Sequence, residues 1–500
     1  MKPRRVTRRH VLQSAGSALA AAALPGSRAL AAPVQSPAAP VAPVAPTPQV
    51  GSVMAALSKY MSEAATRTLP ADVIEHTKLH ILDTFAASVS GTELPPGKVA
   101  LGFARTYGEK TSTVAGSDLL CGPIEAAFVN AMLAHADETD DSHAPSQSHP
   151  GCAVVPAALA VGEQFGINGA RLMRAVALGY DIGTRVNMAL GVSAFQTETH
   201  VSSHALAALF GAAAASASAA KLNAQQMRWL LDYSAQQASG TKAWQRDTDH
   251  IQKAFVFAGV GARSGVMATE LVHLGATGVD DVLSGADNFL SIYGPHADAA
   301  KLVEKLGERY EVTRTNIKKW TVGSPIQAPL DAIEIMLKKR PFDAMDVRQV
   351  IVRVATSEGA LVDNREMPDI CLQHMVAVML LDKTASFRAA HDKPRMENPD
   401  VRRVRAIVQL VPDQQLEARL PRREATVTVV LADGTQLTEH VEAVRGTAEN
   451  PMPRAEVVAK CRDLMSPILG RAHCEDLIDQ VLALETVTNV QGLRPLLQRA

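Results

Sequence analysis

Hydrophobic and polar positions between Ser52 and about Gly307 repeat at helical spacing. In "ADVIEHTKLHILDTFAASVSG" apolar residues such as Val73, Leu79 and Leu82 recur close to every 3.6 residues, and the stretch ends on Gly91, a common helix stop. The same pattern predicts a helix at "IEAAFVNAMLAHA" and two helices in "VVPAALAVGEQFGINGARLMRAVALGYDIGTRVNMAL", separated at "FGINGA". The stretch "HALAALFGAAAASASAAKL" is so rich in small residues that it indicates a buried, closely packed helix.

The pattern changes after about Arg309. Three stretches enriched in β-branched residues predict strands: "VRQVIVRVAT", "VRRVRAIVQLV" and "ATVTVVLADGTQLTEHVEAV", the last a hairpin that turns at Asp433-Gly434. Helical segments such as "PLDAIEIMLKK" and "ICLQHMVAVMLL" interleave with them, and a helical pattern returns from Arg454 to Leu497. We therefore predict a mainly α fold, in which a large all-helical domain (51–314, completed by 454–500) carries an inserted smaller α+β domain (315–453).

The first residues have the composition of an export leader. A basic region with Arg8 and Arg9 precedes a weakly apolar run from Ala15 to Leu24 and the tripeptide "ALA" that ends at Ala31. This order predicts a twin-arginine signal peptide over 1–31, cleaved near Ala31, and hence transport by the twin-arginine export machinery to the periplasm. The run is too short to span a bilayer, so we expect no stable membrane insertion.

A Pro/Ala-rich linker is predicted over 32–50, because "APVQSPAAPVAPVAPTPQ" has no charge and too few large apolar residues to form a core. Removal of the six basic residues of the leader takes the formal net charge from -1 to -7, so nothing favours nucleic acid or an anionic membrane as a partner. The five cysteines form no CxxC pair and are expected to be thiols.

Candidate chemistry is concentrated in "HADETDDSHAPSQSHPG". Its first fifteen residues, 135–149, contain three histidines and four acidic residues between two apolar helical segments. Carboxylates beside a histidine stabilise its charged form and hold its tautomer, as a general acid or base requires. A solvated charged loop and a metal cage are the alternatives; the spacing is looser than in established zinc motifs. No phosphate loop, dinucleotide fingerprint, GxSxG or HExxH motif occurs, so we expect no cofactor.

Several motifs, taken in order, resemble the MmgE/PrpD family of 2-methylcitrate dehydratases and cis-aconitate decarboxylases. They are "HILDTFAASVSG", "HADETDDSH…HPGCAVVPAALA", "FGAAAASASAAKL", "KAFVFAGVGARSGVMATEL" and "SPIQAPLDAI", and the resemblance covers 55–495. It implies a homodimer, a helical domain with an α+β lid, and a cofactor-free, metal-independent site in the cleft between them. It also implies a small di- or tricarboxylate substrate that undergoes proton transfer beside a carboxylate.

Residues are transferred from the family position by position, together with others suggested by their local context. Candidate catalytic residues are His149, Asp141, His204, Lys253 and His374. Candidate substrate-binding residues are Glu138, Asp140, Ser142, His143, Arg263, Gln327 and Arg365. Either His149 or His204 is expected to remove the proton, with Asp141 orienting that histidine or assisting departure of a hydroxyl. Lys253, with Arg263 or Arg365, is expected to bind substrate carboxylates.

Departures from the family pattern leave the reaction open. Glu138 replaces an aspartate and Ser142 a threonine, both conservatively, whereas Gln327 replaces a histidine and His374 a tyrosine. Glutamine cannot titrate, so Gln327 cannot carry a proton. The leading hypothesis is an exported lyase of the dehydratase or hydratase type. An epimerase or isomerase, a decarboxylase and a non-catalytic periplasmic carboxylate-binding protein remain as alternatives.

Overall fold

The computed structural model describes residues 50–107 and 111–499. Helices make up 62% of the chain and strands 9%, which confirms a mainly α fold with a small α+β part. The predicted leader and all but the last residue of the predicted linker lie outside the described residues.

The segment up to residue 303 is helical apart from one small hairpin. Its helices are α1 (Ser52–Glu63), α2 (Ala71–Gly91), α3 (Pro95–Ala104), α4 (Pro123–Ala134), α5 (Gly151–Phe165), α6 (Gly169–Leu190), α7 (Ser193–Thr199), α8 (Ser203–Ala220), α9 (Ala224–Gln236), α10 (Ile251–Ala254), α11 (Val260–His273), α12 (Phe289–Tyr293) and α13 (Ala300–Val303). The hairpin pairs β1 (Ser112–Thr113) with β2 (Leu120–Cys121).

Local chemistry explains why α5 and α6 separate at "FGINGA". Gly166 follows α5 in the left-handed conformation, with φ of 59°, where glycine avoids the strain that a Cβ introduces. Asn168 then caps α6 by accepting a hydrogen bond from the backbone N–H of Arg171 at 2.9 Å. The predicted division into two helices is confirmed.

The middle of the chain forms the α+β part. Its helices are α14 (Ser324–Lys339), α15 (Thr356–Val362), α16 (Leu372–Asp382), α17 (Phe387–His391), α18 (Pro399–Ala406) and α19 (Gln414–Glu417). Its strands are β3 (Val347–Ala355), β4 (Val408–Asp413), β5 (Ala425–Leu431) and β6 (Gln436–Val441), in the order β4-β3-β5-β6. Strands β3 and β4 are parallel, and the other two pairings are antiparallel.

The predicted hairpin is confirmed, and one predicted strand is half wrong. Strands β5 and β6 flank Gly434, which has φ of 86° in the turn. "VRRVRAIVQLV" begins inside α18 and becomes strand β4 only at Val408. Asn398 caps α18 and Pro399 opens it, and these helix-start signals outweigh the β-branched composition.

The last helices return to the first ones. Helices α20 (Arg454–Leu469), α21 (Arg471–Leu482) and α22 (Arg494–Leu497) follow β6. Val457, Leu464 and Ile478 are buried in the same apolar cluster as residues of α2, α4 and α5. The α+β part has its own core between α14, α16 and the sheet. The acidic loop contacts this part, since Asp137 Oδ2 lies 3.0 Å from His391 Nε2 on α17.

Two helical stretches, Ser203–Ala220 and Ile251–His273, are long and apolar enough to cross a membrane by length and composition alone. Most of their residues are buried against neighbouring helices. In α8 this packing is close: a Cβ on Gly183 of α6 would overlap the carbonyl oxygen of Ala207. Burial in the core therefore accounts for the apolar composition that the sequence shows.

Candidate active site

Asp141 anchors the loop between α4 and α5. Its carboxylate accepts hydrogen bonds from the Gly151 N–H at 3.0 Å, from His80 Nδ1 at 3.0 Å and from the Tyr180 hydroxyl. A Cβ on Gly151 would overlap the Tyr180 hydroxyl and this carboxylate, so only glycine fits at the start of α5. The sequence analysis expected Asp141 to orient His149 or His204 or to assist departure of a hydroxyl. Its hydrogen-bond partners are His80, Gly151 and Tyr180, on three elements, and they hold Asp141 as a support of the loop.

Asp140, the residue before Asp141, is the acid that contacts His149. Its two carboxylate oxygens lie 3.1 Å from His149 Nδ1 and 2.8 Å from His135 Nδ1. A carboxylate accepts and does not donate, so each Nδ1 carries the hydrogen, and the Nε2 of a neutral ring is then its acceptor atom. His149 is partly buried and His135 is fully buried. Asp140 and His149 thus form an oriented imidazole of the kind that a general acid or base requires.

Glu138 binds two lysines from distant parts of the chain. Its side chain pairs with the Lys253 ammonium and lies 3.3 Å from the Lys318 ammonium and 3.3 Å from His250 Nε2. The Lys318 ammonium also donates to the Glu138 carbonyl oxygen at 3.0 Å and lies 3.7 Å from Asp140 Oδ1. We call Glu138, Asp140, Lys253 and Lys318 the carboxylate–lysine cluster. Its four formal charges cancel.

A one-turn π-helix, Phe255–Gly259, joins α10 to α11 and brings an aromatic ring to the histidines. Phe257 stacks on His204 with ring centroids 3.7 Å apart and on His135 at 4.8 Å. His204, the second residue of α8, lies 5.4 Å from the His149 ring by the same measure. Such π turns often occur at functional sites, and here the turn supplies one apolar wall of the cluster.

Electrostatics divide the titratable groups into ionised and neutral ones. Burial alone would raise the pKa of Glu138 and of Asp140. The lysines around Glu138 and the two imidazoles around Asp140 outweigh burial and hold each pKa well below its ordinary value. Burial lowers the pKa of His135 to about 4 and places that of His204 well below its ordinary value. At neutral pH both acids are therefore carboxylates, and both of these histidines are neutral.

A cavity of about 310 Å³ adjoins the cluster, and Lys318 is one of its lining residues. Ser142 and Gln327 line it as well, together with backbone and side chains of the α+β part around Arg445. Ser142 pairs with Asn316 through two backbone hydrogen bonds of 3.0 and 2.8 Å, which join the loop to the segment that leads into the α+β part. The cavity is large enough for a small polycarboxylate.

Five other predicted residues lie apart from this cluster. The ring of His143 bonds to Ser146 and Glu311, inside the helical part. The Gln327 amide bonds to the backbone of residues 320 and 322, so it shapes the cavity wall. Arg263 is exposed on α11, and Arg365 is half-buried before α16.

His374 is buried in α16, and the charges that act on it most belong to the α+β part. Burial, followed by Arg405 and Arg395, lowers its pKa to about 4. Within the described residues its ring nitrogens have no hydrogen-bond partner. The structure does not bring His374 to the acidic loop.

Sequence reasoning missed three residues of the cluster region: His135, His250 and Lys318. His250 and His135 have rings 5.2 Å apart; His135 opens the acidic stretch already singled out, and His250 lies three residues before Lys253. Lys318 is 3% exposed, whereas its neighbour Lys319 is half-exposed and pairs with Glu334. The sequence "KK" does not indicate which of the two lysines is buried. Only the position of this pair, between the predicted helical and α+β domains, could have marked it as a candidate.

The donor atoms of His135, Asp140 and His149 lie within 4.8 Å of one another, a spacing that can hold a cation. Both Nδ1 atoms, however, already lie at hydrogen-bond distance from Asp140, and the Lys318 ammonium is 3.7 Å from the same carboxylate. An ammonium so close repels a divalent cation. The donor set fits a hydrogen-bonded group better than a metal centre.

Comparisons with known proteins place this geometry in a family. The MmgE/PrpD N-terminal domain matches residues 55–301, and the MmgE/PrpD C-terminal domain matches residues 320–485. Cis-aconitate decarboxylase of Aspergillus terreus (strain NIH 2624 / FGSC A1156) is 25% identical over 484 residues, 89% of this chain and 96% of that protein. The proteins of that name from Homo sapiens (25% over 450 residues; 85% of this chain, 90% of theirs) and Mus musculus (24% over 449 residues; 85% and 89%) are also similar. With both family domains matched in order across most of its length, the chain belongs to the MmgE/PrpD family.

Proposed function

We propose that this chain is a lyase that acts on a small di- or tricarboxylate by moving a proton at a carbon next to a carboxylate. The observation that carries the proposal is the convergence of two lysines, Lys253 and Lys318, on one buried carboxylate beside the Asp140–His149 pair. A substrate carboxylate offers these ammonium groups the same kind of ligand that Glu138 offers. The imidazole of His149, bonded to Asp140 of this cluster, then lies beside the bound acid.

Decarboxylation is the first reaction to test, because the similar proteins from three organisms are named cis-aconitate decarboxylases. When a carboxylate leaves as CO2, its carbon–carbon bond breaks and the electron pair stays on the remaining skeleton. A double bond conjugated to a second carboxylate accepts that pair, and a proton is then added to carbon. Lysines that hold the remaining carboxylates stabilise the charge that develops on them.

Loss of water is the second candidate, since the same groups can perform it. A base, His149 in its neutral form, takes the proton beside a carboxylate while an acid protonates the departing hydroxyl. Gln327 bonds to backbone and cannot titrate, so neither reaction can use it as a proton carrier. Both reactions need the carboxylate–lysine cluster to bind the substrate.

The test uses the leaderless protein, residues 32–500, with cis-aconitate and a panel of hydroxylated di- and tricarboxylates in deuterated buffer, with and without EDTA. NMR and CO2 detection separate the outcomes. Release of CO2 with one deuteron on carbon supports decarboxylation, and an alkene formed without CO2 supports dehydration. Deuterium exchange without another mass change indicates an epimerase. Thermal stabilisation by a ligand that is never converted contradicts the enzyme and indicates a binding protein. Loss of turnover in EDTA contradicts metal independence.

A matched pair of variants tests the binding role of the cluster. Lys253→Met removes one cluster ammonium and is expected to raise KM at least about tenfold, the effect of losing one charged hydrogen bond of roughly 1.5–3 kcal/mol. Lys301→Met removes an exposed lysine paired with Glu304 and is expected to leave KM unchanged. Equal KM values in the two variants would exclude Lys253 from substrate binding.

Export through the twin-arginine pathway, a periplasmic location and a homodimer are further proposals that rest on the leader and on the family resemblance. Fractionation of cells that produce the full chain tests the location. Replacement of Arg8 and Arg9 by lysine is expected to keep the protein inside the cytoplasm. Sedimentation of the leaderless protein tests the dimer.

A further inference from the structure

A tryptophan in the turn before α10 has no role in the site as described so far. Trp244 lies in the short 3-10 helix Lys242–Arg246. Its indole nitrogen is buried and has no hydrogen-bond partner among the residues that the structure describes. The indole nitrogen of Trp320, by contrast, donates to Asp331 Oδ1 at 2.9 Å. Buried N–H groups are rarely left unpaired, so the indole of Trp244 calls for an acceptor that comes from elsewhere.

The Trp244 ring lies against three side chains of the candidate site. Its centre is 4.7 Å from that of the Phe257 ring, edge to face, and 5.8 Å from that of the His204 ring. The Lys253 ammonium lies 5.8 Å from the Trp244 ring centre. Trp244 itself is half-buried, whereas residues 245 and 246 are exposed. The turn therefore places one aromatic ring at the site, and the two side chains that follow it are in contact with solvent.

Backbone hydrogen bonds hold this turn to the two elements that carry His204 and Lys253. At its start, the Lys242 N–H donates to the His200 carbonyl oxygen at 3.0 Å, just before α8. At its end, the Asp247 carboxylate accepts a hydrogen bond from the backbone N–H of Lys253 at 2.7 Å. The position of the indole is thus fixed relative to the lysine and the histidine of the site.

A carboxylate fits between the Lys253 ammonium and the Trp244 ring. The Lys253 side chain is 15% exposed, so a ligand can reach it although it pairs with Glu138. An indole N–H only donates, so its partner must be an acceptor, and an anion is the acceptor that a neighbouring ammonium favours. One carboxylate that accepts from two nitrogens holds them roughly 5 to 8 Å apart, since each hydrogen bond is about 2.7–3.0 Å long. The separation of 5.8 Å between ammonium and ring centre lies in that range.

We propose that Trp244 donates a hydrogen bond to a substrate carboxylate that Lys253 also binds. This inference rests on the proposed lyase function and deepens it, because it assigns one carboxylate of the substrate to these two donors. The rings of Trp244 and Phe257 make the surrounding wall apolar, which strengthens both hydrogen bonds. A substrate with an apolar group at this position would leave the buried N–H unpaired, so Trp244 selects against it. Trp244 moves no proton and forms no covalent bond.

The test compares KM and kcat in Trp244→Phe and in a control. Phenylalanine keeps an aromatic ring beside Phe257 and removes only the N–H donor. We expect KM for the converted polycarboxylate to rise at least about tenfold, the effect of losing a hydrogen bond to a charged group, with kcat within about twofold of the wild type. Trp229→Phe changes a half-buried tryptophan of α9, in a different apolar cluster, and is expected to leave KM unchanged. A Trp244→Phe variant with the KM of the wild type would overturn the proposal.

A second measurement uses the wild type and remains informative even if Trp244→Phe does not fold. The chain has three tryptophans, so a protein labelled with ¹⁵N at the indole nitrogens has three side-chain N–H resonances to follow by NMR. On saturation with cis-aconitate or citrate, we expect one of them to move, and this resonance is still present in Trp229→Phe. If a polycarboxylate that the enzyme converts moves none of the three, the role of Trp244 is refuted while the proposed function stands. A wild type that neither binds nor converts any polycarboxylate refutes the proposed function itself.

Discussion

Replacement of Lys318 by methionine tests whether the carboxylate–lysine cluster is organised as the structure indicates. The Lys318 ammonium is 3% exposed and lies 3.3 Å from Glu138 Oε2 and 3.7 Å from Asp140 Oδ1. At an effective dielectric constant of about 20 these separations correspond to roughly 5 and roughly 4 to 5 kcal/mol of attraction. Desolvation of the ammonium offsets much of this. Truncating one partner of a buried pair then costs about 3–5 kcal/mol in unfolding free energy, the loss we expect for Lys318→Met.

Urea unfolding of the leaderless protein, followed by far-ultraviolet circular dichroism, measures this loss. Lys319→Met is the matched control, because the Lys319 side chain is 21% exposed against 2% for Lys318, and its partly solvated pair with Glu334 is expected to contribute about 1 kcal/mol. The double variant Lys318→Met/Glu138→Gln completes a cycle that measures the coupling between these two residues, which is expected to be favourable although Glu138 also pairs with Lys253. A Lys318→Met variant as stable as the Lys319→Met control would refute the buried ion pair.

The pH dependence of this loss has a defined sign. Glu138 and Asp140 have pKa values held below their ordinary values of 4.5 and 3.8, so their ionised forms stabilise the fold above those values. This stability is lost as pH falls through the folded-state values. The difference between wild type and Lys318→Met is therefore expected to be complete above about pH 5 and to shrink below it. A difference that grows on acidification would contradict the assigned charges.

Three further predictions concern the loop and its ligand. His149→Ala is expected to lower kcat at least about a hundredfold while costing about 1 kcal/mol of stability for one lost hydrogen bond; unimpaired turnover in steady-state assays would exclude His149 as the acid or base. Gly151→Ala is expected to lower the unfolding free energy by about 1–3 kcal/mol, because the new Cβ would overlap the Tyr180 hydroxyl and the Asp141 carboxylate. An unchanged urea midpoint would show that the loop moves to accommodate the Cβ. Since the charges of the carboxylate–lysine cluster cancel, binding of a polycarboxylate should draw protons onto neighbouring imidazoles. The Kd of the polycarboxylate is then expected to rise, as pH increases, by up to about tenfold per pH unit for each proton taken up. Calorimetry in buffers of different ionisation enthalpy measures this uptake, and its absence would contradict the charge count.

Much of the fold could be predicted, because its signals are local. The end of α2 on Gly91, the break between α5 and α6, and the hairpin around Gly434 all follow from residues within one or two turns of the feature. The error at "VRRVRAIVQLV" had a local cause too, since composition was weighed above the helix-start signal at Asn398 and Pro399.

The candidate site was predicted less completely. Glu138, Asp140, His149, His204 and Lys253 do meet, because one loop and two helix starts bring them together. The contact with His149 that was expected of Asp141 is made by Asp140, and His374 is buried in the α+β part. Side chains on an irregular loop have no period that tells which of two adjacent acids faces a histidine.

By itself the sequence determined the helices and strands, the family and the loop in which the chemistry is concentrated, since each depends on nearby residues or on motifs in order. Only the tertiary structure decided which member of each adjacent pair joins the cluster: Asp140 rather than Asp141, and Lys318 rather than Lys319. Their partners lie far along the chain, as with Lys318 and Glu138, 180 residues apart, and His80 and Asp141, 61 apart. A buried charge is stable only where a partner contacts it, and the packing of the whole molecule brings these distant partners into contact.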